Sequence, residues 1–171
     1  ARRVGPTGRA IGVDLTPAMC RQAAQSAREA GLADRVEIRE GIFEALPAND
    51  ASVDYLVSNG VVNLAPDKHR VFAEIARVLR PGGQLLLADV VVGRELSPAV
   101  RADADLWAAC VGGAVTEAEL TALAAGAGLE AGRVVRRFDC FRNTRLAHKF
   151  HGRLDVYAVA FHAVKPPSAA R

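Results

Sequence analysis

The feature that most constrains the fold is an alternation of short apolar runs with helical patterns between residues 9 and 92. The runs RAIGVDL (9–15), RVEIREG (35–41) and VDYLVSNGVV (53–62) predict strands, and QLLLADVVV (84–92) is apolar almost throughout. A nearly continuous apolar run is typical of a strand that is covered on both faces. Strands that alternate with helices in this way predict an α/β fold with a mostly parallel sheet.

Two helices are predicted between these strands. The first begins at Thr16 as N-cap, has Pro17 at its first position and stops at Gly31. The second is expected over APDKHRVFAEIARVLRPGG (65–83), with its end at the Pro-Gly-Gly turn. Its apolar residues recur at helical spacing and form one stripe, made of Val71, Phe72, Ile75, Val78 and Leu79.

The pattern changes after residue 93. A helix and a glycine-rich turn are predicted over 96–114, and a second helix begins with a capping box of Thr116 and Glu119. Two final apolar runs, 133–141 and 154–164, predict an antiparallel edge of the sheet, with a short helical segment between them. We expect a single domain over 1–164 and a frayed tail over 165–171.

Composition excludes several classes of function. The net charge is +3, and the arginines are scattered along the chain rather than clustered, which argues against nucleic-acid binding. No apolar run approaches the ~18 residues of a membrane span. The three cysteines, Cys20, Cys110 and Cys140, form no CxxC pair, so we expect a reduced, cytoplasmic chain without a metal site.

Ligands of open α/β sheets bind beyond the carboxyl ends of the strands. The candidates at these ends are Asp14, Gly41, Ile42, Phe43, Ser58, Asn59 and Asp89. The carboxylate of Asp14 suits a ribose diol, but it would also favour the start of the following helix. Residues 41–43 could flank an adenine or form an ordinary loop, and residues 58 and 59 could contact a ligand or form a turn. Asp89, inside an apolar strand, is a site residue or a paired core carboxylate.

The order of these segments is more specific than any one of them. IGVDLTPAM, EALP, SNGVVNLAPDKHRVFAEIARVLRPGGQLLLADVV and LWAACVGGAVTEAEL follow one another, and FDCF…HKF comes near the end. This series resembles a class I S-adenosylmethionine-dependent methyltransferase, and within that family it is most similar to arsenite methyltransferases. The resemblance implies a Rossmann-like fold with an antiparallel C-terminal edge, which begins here at the family's second strand.

The resemblance implies S-adenosyl-L-methionine as cofactor and a small molecule as methyl acceptor. Asp14 would hold the donor's ribose, with Thr16 and Met19 nearby. Ile42 and Phe43, after Gly41, would frame the adenine, and Ser58 and Asn59 would line the methionine end. Cys110 would be the catalytic residue, since it matches a cysteine that binds trivalent arsenic in the family.

Two departures from the family pattern affect the acceptor. The family's SNC reads Ser58-Asn59-Gly60 here, and Cys20 and Cys140 do not lie at the arsenic-binding positions. A soft trivalent ion prefers several thiolates. The acceptor is therefore arsenite or another small soft nucleophile. Two alternatives are a truncated, non-catalytic Rossmann-like domain and a nicotinamide-dependent oxidoreductase, and the LRPGG segment disfavours the second.

No glycine-rich loop precedes Asp14, since only thirteen residues, ARRVGPTGRAIGV, come before it. In the family this loop follows the first strand, which lies at the centre of the sheet. We therefore expect a truncated chain with two exposed ladder edges. Loss of the loop's hydrogen bonds, roughly 1.5–3 kcal/mol each for a charged partner, predicts donor binding at millimolar level or not at all.

Overall fold

The computed structural model describes residues 1–141, 144 and 154–168. These residues fall into two compact units, Ala1–Ala48 and Asn49–Arg171. The single domain over 1–164 stays a prediction. The helical segment expected between the last two apolar runs lies outside the described residues.

The first unit is a β-α-β arrangement that follows a 3-10 turn over Arg2–Val4. Strand β1 (Ala10–Asp14) pairs in parallel with β2 (Val36–Glu40), and helix α1 (Pro17–Glu29) connects them. Helix α1 begins at Pro17 as predicted. Its N-cap differs in detail, because the Thr16 side chain accepts no capping hydrogen bond.

The second unit contains a four-stranded mixed sheet in the order β3-β4-β6-β5. Strands β3 (Val53–Asn59) and β4 (Leu79–Val92) are parallel. Strand β6 (Val156–Val164) lies antiparallel to β4 on one side and to β5 (Glu130–Phe138) on the other. The predicted antiparallel C-terminal edge is confirmed.

Helix α2 (Lys68–Val78) covers this sheet with the predicted apolar stripe. It starts where the Asp67 carboxylate accepts a hydrogen bond from the Arg70 N–H at 3.0 Å. The stripe residues are at most 1% exposed: Val71, Phe72, Ile75 and Val78. Burial of an aromatic or aliphatic side chain contributes about 1.5–3 kcal/mol each, so this stripe is a main stabilising element of the unit.

The predicted end of α2 at the Pro-Gly-Gly turn was wrong. The helix ends at Val78, and Leu79 already pairs with Val53 in the sheet. Tyr55 pairs next with Gln84, so the intervening Arg80–Gly83 segment bulges out of β4. The helix stops early because the Lys165 ammonium donates hydrogen bonds to the carbonyls of Ala76 and Leu79, both at 2.7 Å.

The continuous helix expected within 96–114 was also wrong. Two short helices, α3 (Pro98–Arg101) and α4 (Ala104–Ala108), take its place. Asp103 separates them, because its carboxylate accepts from the Leu106 N–H at 3.0 Å and starts a new helix. The capping box of Thr116 and Glu119 is confirmed at the start of α5 (Glu117–Gly126).

Within the part of the chain that the structure describes, β1, β2, β3 and β5 each have one unpaired side. Strand β1 pairs only with β2, and β3 is the end strand of the four-stranded sheet. Apolar side chains on these strands are exposed: Ile11 by 42%, Tyr55 by 57% and Val57 by 72%. The two edges expected from a missing central strand stay a prediction.

Candidate functional site

The first group of predicted site residues lies at the carboxyl end of β1. The Thr16 N–H donates to Asp14 Oδ1 at 2.8 Å, which fixes the orientation of the carboxylate. Met19 lies in the first turn of α1 and is 49% exposed.

The loop after β2 begins beside the backbone of Asp14. Asp14 is opposite Glu40 in the sheet, and the Gly41 N–H donates to the Asp14 carbonyl at 3.1 Å. A side chain at position 41 would lie 2.8 Å from the Pro47 ring, so the close turn requires glycine. Ile42 is 43% exposed and Phe43 is half-buried. The structure thus brings Asp14 and residues 41–43 to the same end of the two-stranded sheet, at the carboxyl ends of β1 and β2.

The second group lies at the carboxyl end of β3. Ser58 is buried, and its Oγ has no hydrogen-bond partner among the described residues, whereas Asn59 is exposed. The next residue, Gly60, has a φ of +72°, and a side chain there would meet nothing within 4 Å. This strand end therefore carries one unsatisfied buried hydroxyl and open space at residue 60.

Cys110 lies against this strand end. Its thiol donates to the Gly60 carbonyl at 3.2 Å, across 50 residues of sequence. The backbone at Cys110 is in the left-handed region, with a φ of +62°, which is uncommon for a residue other than glycine. Burial raises the pKa of the Cys110 thiol, and the nearby charge of Asp89 raises it further. The thiol is therefore protonated at neutral pH.

Asn63, which the sequence analysis missed, connects two residues that it named, Asp89 and Cys110; the three are called here the Asn63 cluster. Asn63 is 2% exposed and lies in the 3-10 turn Val62–Leu64. Its backbone N–H donates to Asp89 Oδ2 at 3.2 Å, and its side-chain Nδ2 donates to Asp89 Oδ1 at 3.0 Å. The only signal in the sequence was a polar residue inside the apolar run Val61–Leu64.

Asp89 is a paired core carboxylate in this cluster. It is 5% exposed and also accepts a hydrogen bond from the Val90 N–H at 2.8 Å. Burial raises the pKa of Asp89, while the N–H groups of Val90 and Asn63 and the charge of Lys68 oppose that shift. The hydrogen bonds keep the buried carboxylate oxygens satisfied.

Lys68 borders the cluster at the start of α2. Its ammonium donates to the Ala65 carbonyl at 3.2 Å and to the Asn63 carbonyl at 3.4 Å. It also lies 5.9 Å from the ring centre of Trp107, which is half-buried on α4. A cavity of about 10 Å³ beside these groups is lined by Asn63, Lys68 and Asp89 together with apolar side chains.

The described ranges hold neither a metal-binding cluster nor a membrane-spanning helix. Residues 1–141, 144 and 154–168 contain no group of three or more His, Cys, Asp or Glu side chains that could hold a metal ion. The same ranges contain no helix that is long and apolar enough to cross a membrane.

The sequence profile of a family described as methyltransferase domain matches residues 1–128. The chain belongs to this family and has the class I, Rossmann-like fold of the S-adenosylmethionine-dependent methyltransferases. S-adenosylmethionine is the methyl donor of the family. Family membership removes the nicotinamide-dependent oxidoreductase from the alternatives.

Arsenite methyltransferases are among the relatives. The chain is 45% identical over 131 residues to the arsenite methyltransferase of Halobacterium salinarum, an alignment that covers 77% of this chain and 33% of that protein. It is 36% identical over 129 residues to the human arsenite methyltransferase, with 71% and 34% covered. The chain spans about a third of the length of these relatives.

A solved structure extends this similarity to almost the whole chain. The arsenic(III) S-adenosylmethionine methyltransferase of Chlamydomonas reinhardtii superposes with a TM-score of 0.83 at 30% identity. The alignment covers 98% of this chain and 59% of that one. A solved structure from Galdieria sulphuraria, at 18% identity and a TM-score of 0.71, shares the fold.

Proposed function

We propose that the protein carrying this chain transfers a methyl group from S-adenosylmethionine to a small soft nucleophile, with trivalent arsenic as the first acceptor to test. The observation that carries the proposal is the position of Cys110, whose thiol lies 3.2 Å from the Gly60 carbonyl at a strand end. The fold places ligands beyond such strand ends. Similarity to arsenite methyltransferases supports the choice of acceptor.

The residues of the first unit fit the donor's nucleoside. The Asp14 carboxylate is oriented by the Thr16 N–H, so its second oxygen can accept from the ribose hydroxyls. Ile42 offers exposed apolar surface for the adenine on the adjacent loop. When bound, the donor supplies a methyl carbon on a positively charged sulfur. The protein's residues bind and orient this group and exclude water from it.

Cys110 is proposed to hold the acceptor. Soft trivalent ions prefer sulfur ligands, and the Cys110 thiol gives up its proton when it forms such a bond. Gly60 supplies a carbonyl instead of a second thiol at this strand end. A single thiol therefore favours an acceptor that needs one protein sulfur ligand, and other soft nucleophiles remain in the same class of substrate.

The proposed setting is the cytoplasm. Cys20, Cys110 and Cys140 are all free thiols, which is typical of reducing compartments. The proposed acceptor is a small molecule. Neither a nucleic acid nor a membrane is part of the proposal.

The donor half is tested by ligand-observed NMR with S-adenosylhomocysteine, a method that detects millimolar binding. We expect the chain to bind weakly, and Asp14→Ala to weaken binding by about tenfold or more, because a hydrogen bond to a charged group contributes roughly 1.5–3 kcal/mol. Asp34→Ala is the matched control, since Asp34 is an exposed carboxylate in the same unit. Equal binding by both variants would remove Asp14 from the donor site.

The acceptor half is tested by transfer of a labelled methyl group to arsenite and to small thiols. Cys110→Ser should abolish transfer to arsenite, while Cys140→Ser, which changes an exposed thiol, should retain it. Transfer that survives Cys110→Ser would reject the role of Cys110. Donor binding without transfer to any acceptor would favour the alternative of a non-catalytic domain.

A further inference from the structure

The buried Asn63 side chain makes several hydrogen bonds and has no role in the function proposed above. Its amide nitrogen has two hydrogens and three acceptors within range: Asp89 Oδ1 at 3.0 Å, the Val90 carbonyl at 2.7 Å and the Cys110 carbonyl at 3.1 Å. One of the hydrogens is therefore shared. A single buried residue in this way connects the turn after β3, strand β4 and the segment that carries the thiol.

Cys110 needs external support for its conformation. A φ of +62° places a residue with a side chain in the left-handed region, which costs several times RT and persists where surrounding contacts fix it. Three hydrogen bonds hold Cys110: its N–H donates to the Trp107 carbonyl at 2.9 Å, its carbonyl accepts from Asn63, and its thiol donates to Gly60. The first is local to the end of α4, so the Asn63 bond is the one of the three that ties the backbone of residue 110 to another element.

A second contact holds the same segment. A side chain at Gly113 would place its Cβ 1.9 Å from the Asn63 carbonyl oxygen, so the two backbones touch directly. The Lys68 ammonium donates to that carbonyl. Asn63 therefore contacts the 110–113 segment through both its side chain and its backbone.

We propose that Asn63 is a positioning residue for Cys110, whose carboxamide holds the carbonyl of residue 110 and thereby fixes the thiol at the end of β3. Asn63 acts through Cys110 and does not touch the acceptor. The inference deepens the proposed function and rests on it for its catalytic consequence. Its structural consequence, a thiol with restricted access, is measurable in the chain by itself.

The first test is the rate at which Cys110 reacts with iodoacetamide, followed by peptide mass spectrometry so that Cys20 and Cys140 are read separately. The rate is measured across pH, because the plateau at high pH reports access to the thiol independently of its pKa. Asn63→Ser is too short to reach the Cys110 carbonyl and should raise the plateau rate about tenfold, since loss of a hydrogen bond favours local opening.

A swapped pair provides the matched variant. Asn63→Asp combined with Asp89→Asn keeps one carboxylate and one carboxamide in contact, and conserves the charge near Cys110. The carboxylate introduced at position 63 cannot donate to the Cys110 carbonyl, so the plateau rate should rise as in Asn63→Ser. Leu120→Ala removes a buried side chain of the same cavity without touching Cys110 and should leave the plateau within about twofold.

The second test separates the inference from the proposed function. In methyl transfer, loss of the Asn63 bond should raise the acceptor KM at least about tenfold while S-adenosylhomocysteine binding is unchanged. An unchanged alkylation plateau in both Asn63 variants, or an equal rise in Leu120→Ala, would overturn the positioning role. If the unmodified protein transfers no methyl group, the proposed function fails, and the alkylation rates alone decide the role of Asn63.

Discussion

The two units have the same kind of secondary structure but differ in burial. Every residue of 1–48 is described, and none of them is buried. The second unit contains the whole set of buried apolar residues, from Val62 to Ala163, with Phe72, Phe161 and Ile75 among the largest. The parallel pair of β1 and β2 therefore has no buried core of its own, whereas strands β3–β6 pack against one.

This difference separates what backbone hydrogen bonds do from what burial does. The net contribution of one hydrogen bond to the free energy of unfolding is about 0.5–1.5 kcal/mol. Two paired strands without buried side chains are therefore only marginally stable in water. The proposed donor residues Asp14 and Gly41 lie in the less buried unit, and Cys110 lies in the better packed one. We expect donor-side geometry to be the more easily perturbed.

The largest expected effect comes from the core of the second unit. Phe72→Ala should lower the free energy of unfolding by about 3–5 kcal/mol, because it removes a fully buried aromatic ring and leaves a cavity. Urea denaturation followed by the fluorescence of Trp107, the single tryptophan, measures it. Val57→Ala, at a side chain that is 72% exposed, is the control and should cost less than about 0.5 kcal/mol.

Hydrogen exchange compares the two units directly. Amides of 10–14 in β1 should exchange at least about a hundredfold faster than those of 84–92 in β4, a difference of about 2.7 kcal/mol in local opening. Mass spectrometry of peptides from these ranges gives both rates in one sample. Equal protection would show that the lack of buried side chains in residues 1–48 does not limit their stability.

The Lys165 ammonium makes a smaller contribution to the stability of the second unit. Lys165→Met keeps most of the aliphatic stem but removes the ammonium from the carbonyls of Ala76 and Leu79, and should cost about 1.5–3 kcal/mol. Chemical denaturation measures the loss. Ser168→Ala, on an exposed residue of the same tail, should leave stability unchanged; a matching loss there would point to the tail as a whole.

The smallest effect is the pH dependence from Asp89. Burial raises the pKa of Asp89 in the folded chain above its value of 3.8 in the unfolded chain. The folded state therefore binds more protons between these two pKa values, so the Asp89 contribution to stability falls as pH rises through that window. Unfolding at several pH values should show a shallower decline in Asp89→Asn. Asp54→Asn, at an exposed carboxylate, should retain the decline of the parent chain.

Local signals in the sequence predicted much of the fold. The stripe of α2 and the capping box of α5 depend on neighbours three or four residues away, and both are present. The end of α2 could not be predicted in the same way. It depends on Lys165, 86 residues from Leu79, and on pairing of Leu79 with Val53.

The residues of the candidate site also differ in whether the sequence predicted them. Asp14 and Gly41 follow from the rule that ligands bind at strand ends, and the structure brings them together. Their roles stay predictions. The role of Asn63 was hard to predict because its partners Asp89 and Cys110 are 26 and 47 residues away in the sequence. Composition and periodicity do not reveal contacts between such distant residues.

The reach of the Asn63 contacts has a consequence for the order of folding. Closing a chain segment of 47 residues is entropically costly before the surrounding core exists, and long-range contacts of this kind form late. We expect φ-values near zero at Asn63 and high values in the α2 stripe. A chain that has collapsed but not finished folding would then have its helices in place while Cys110 is still accessible to oxidants.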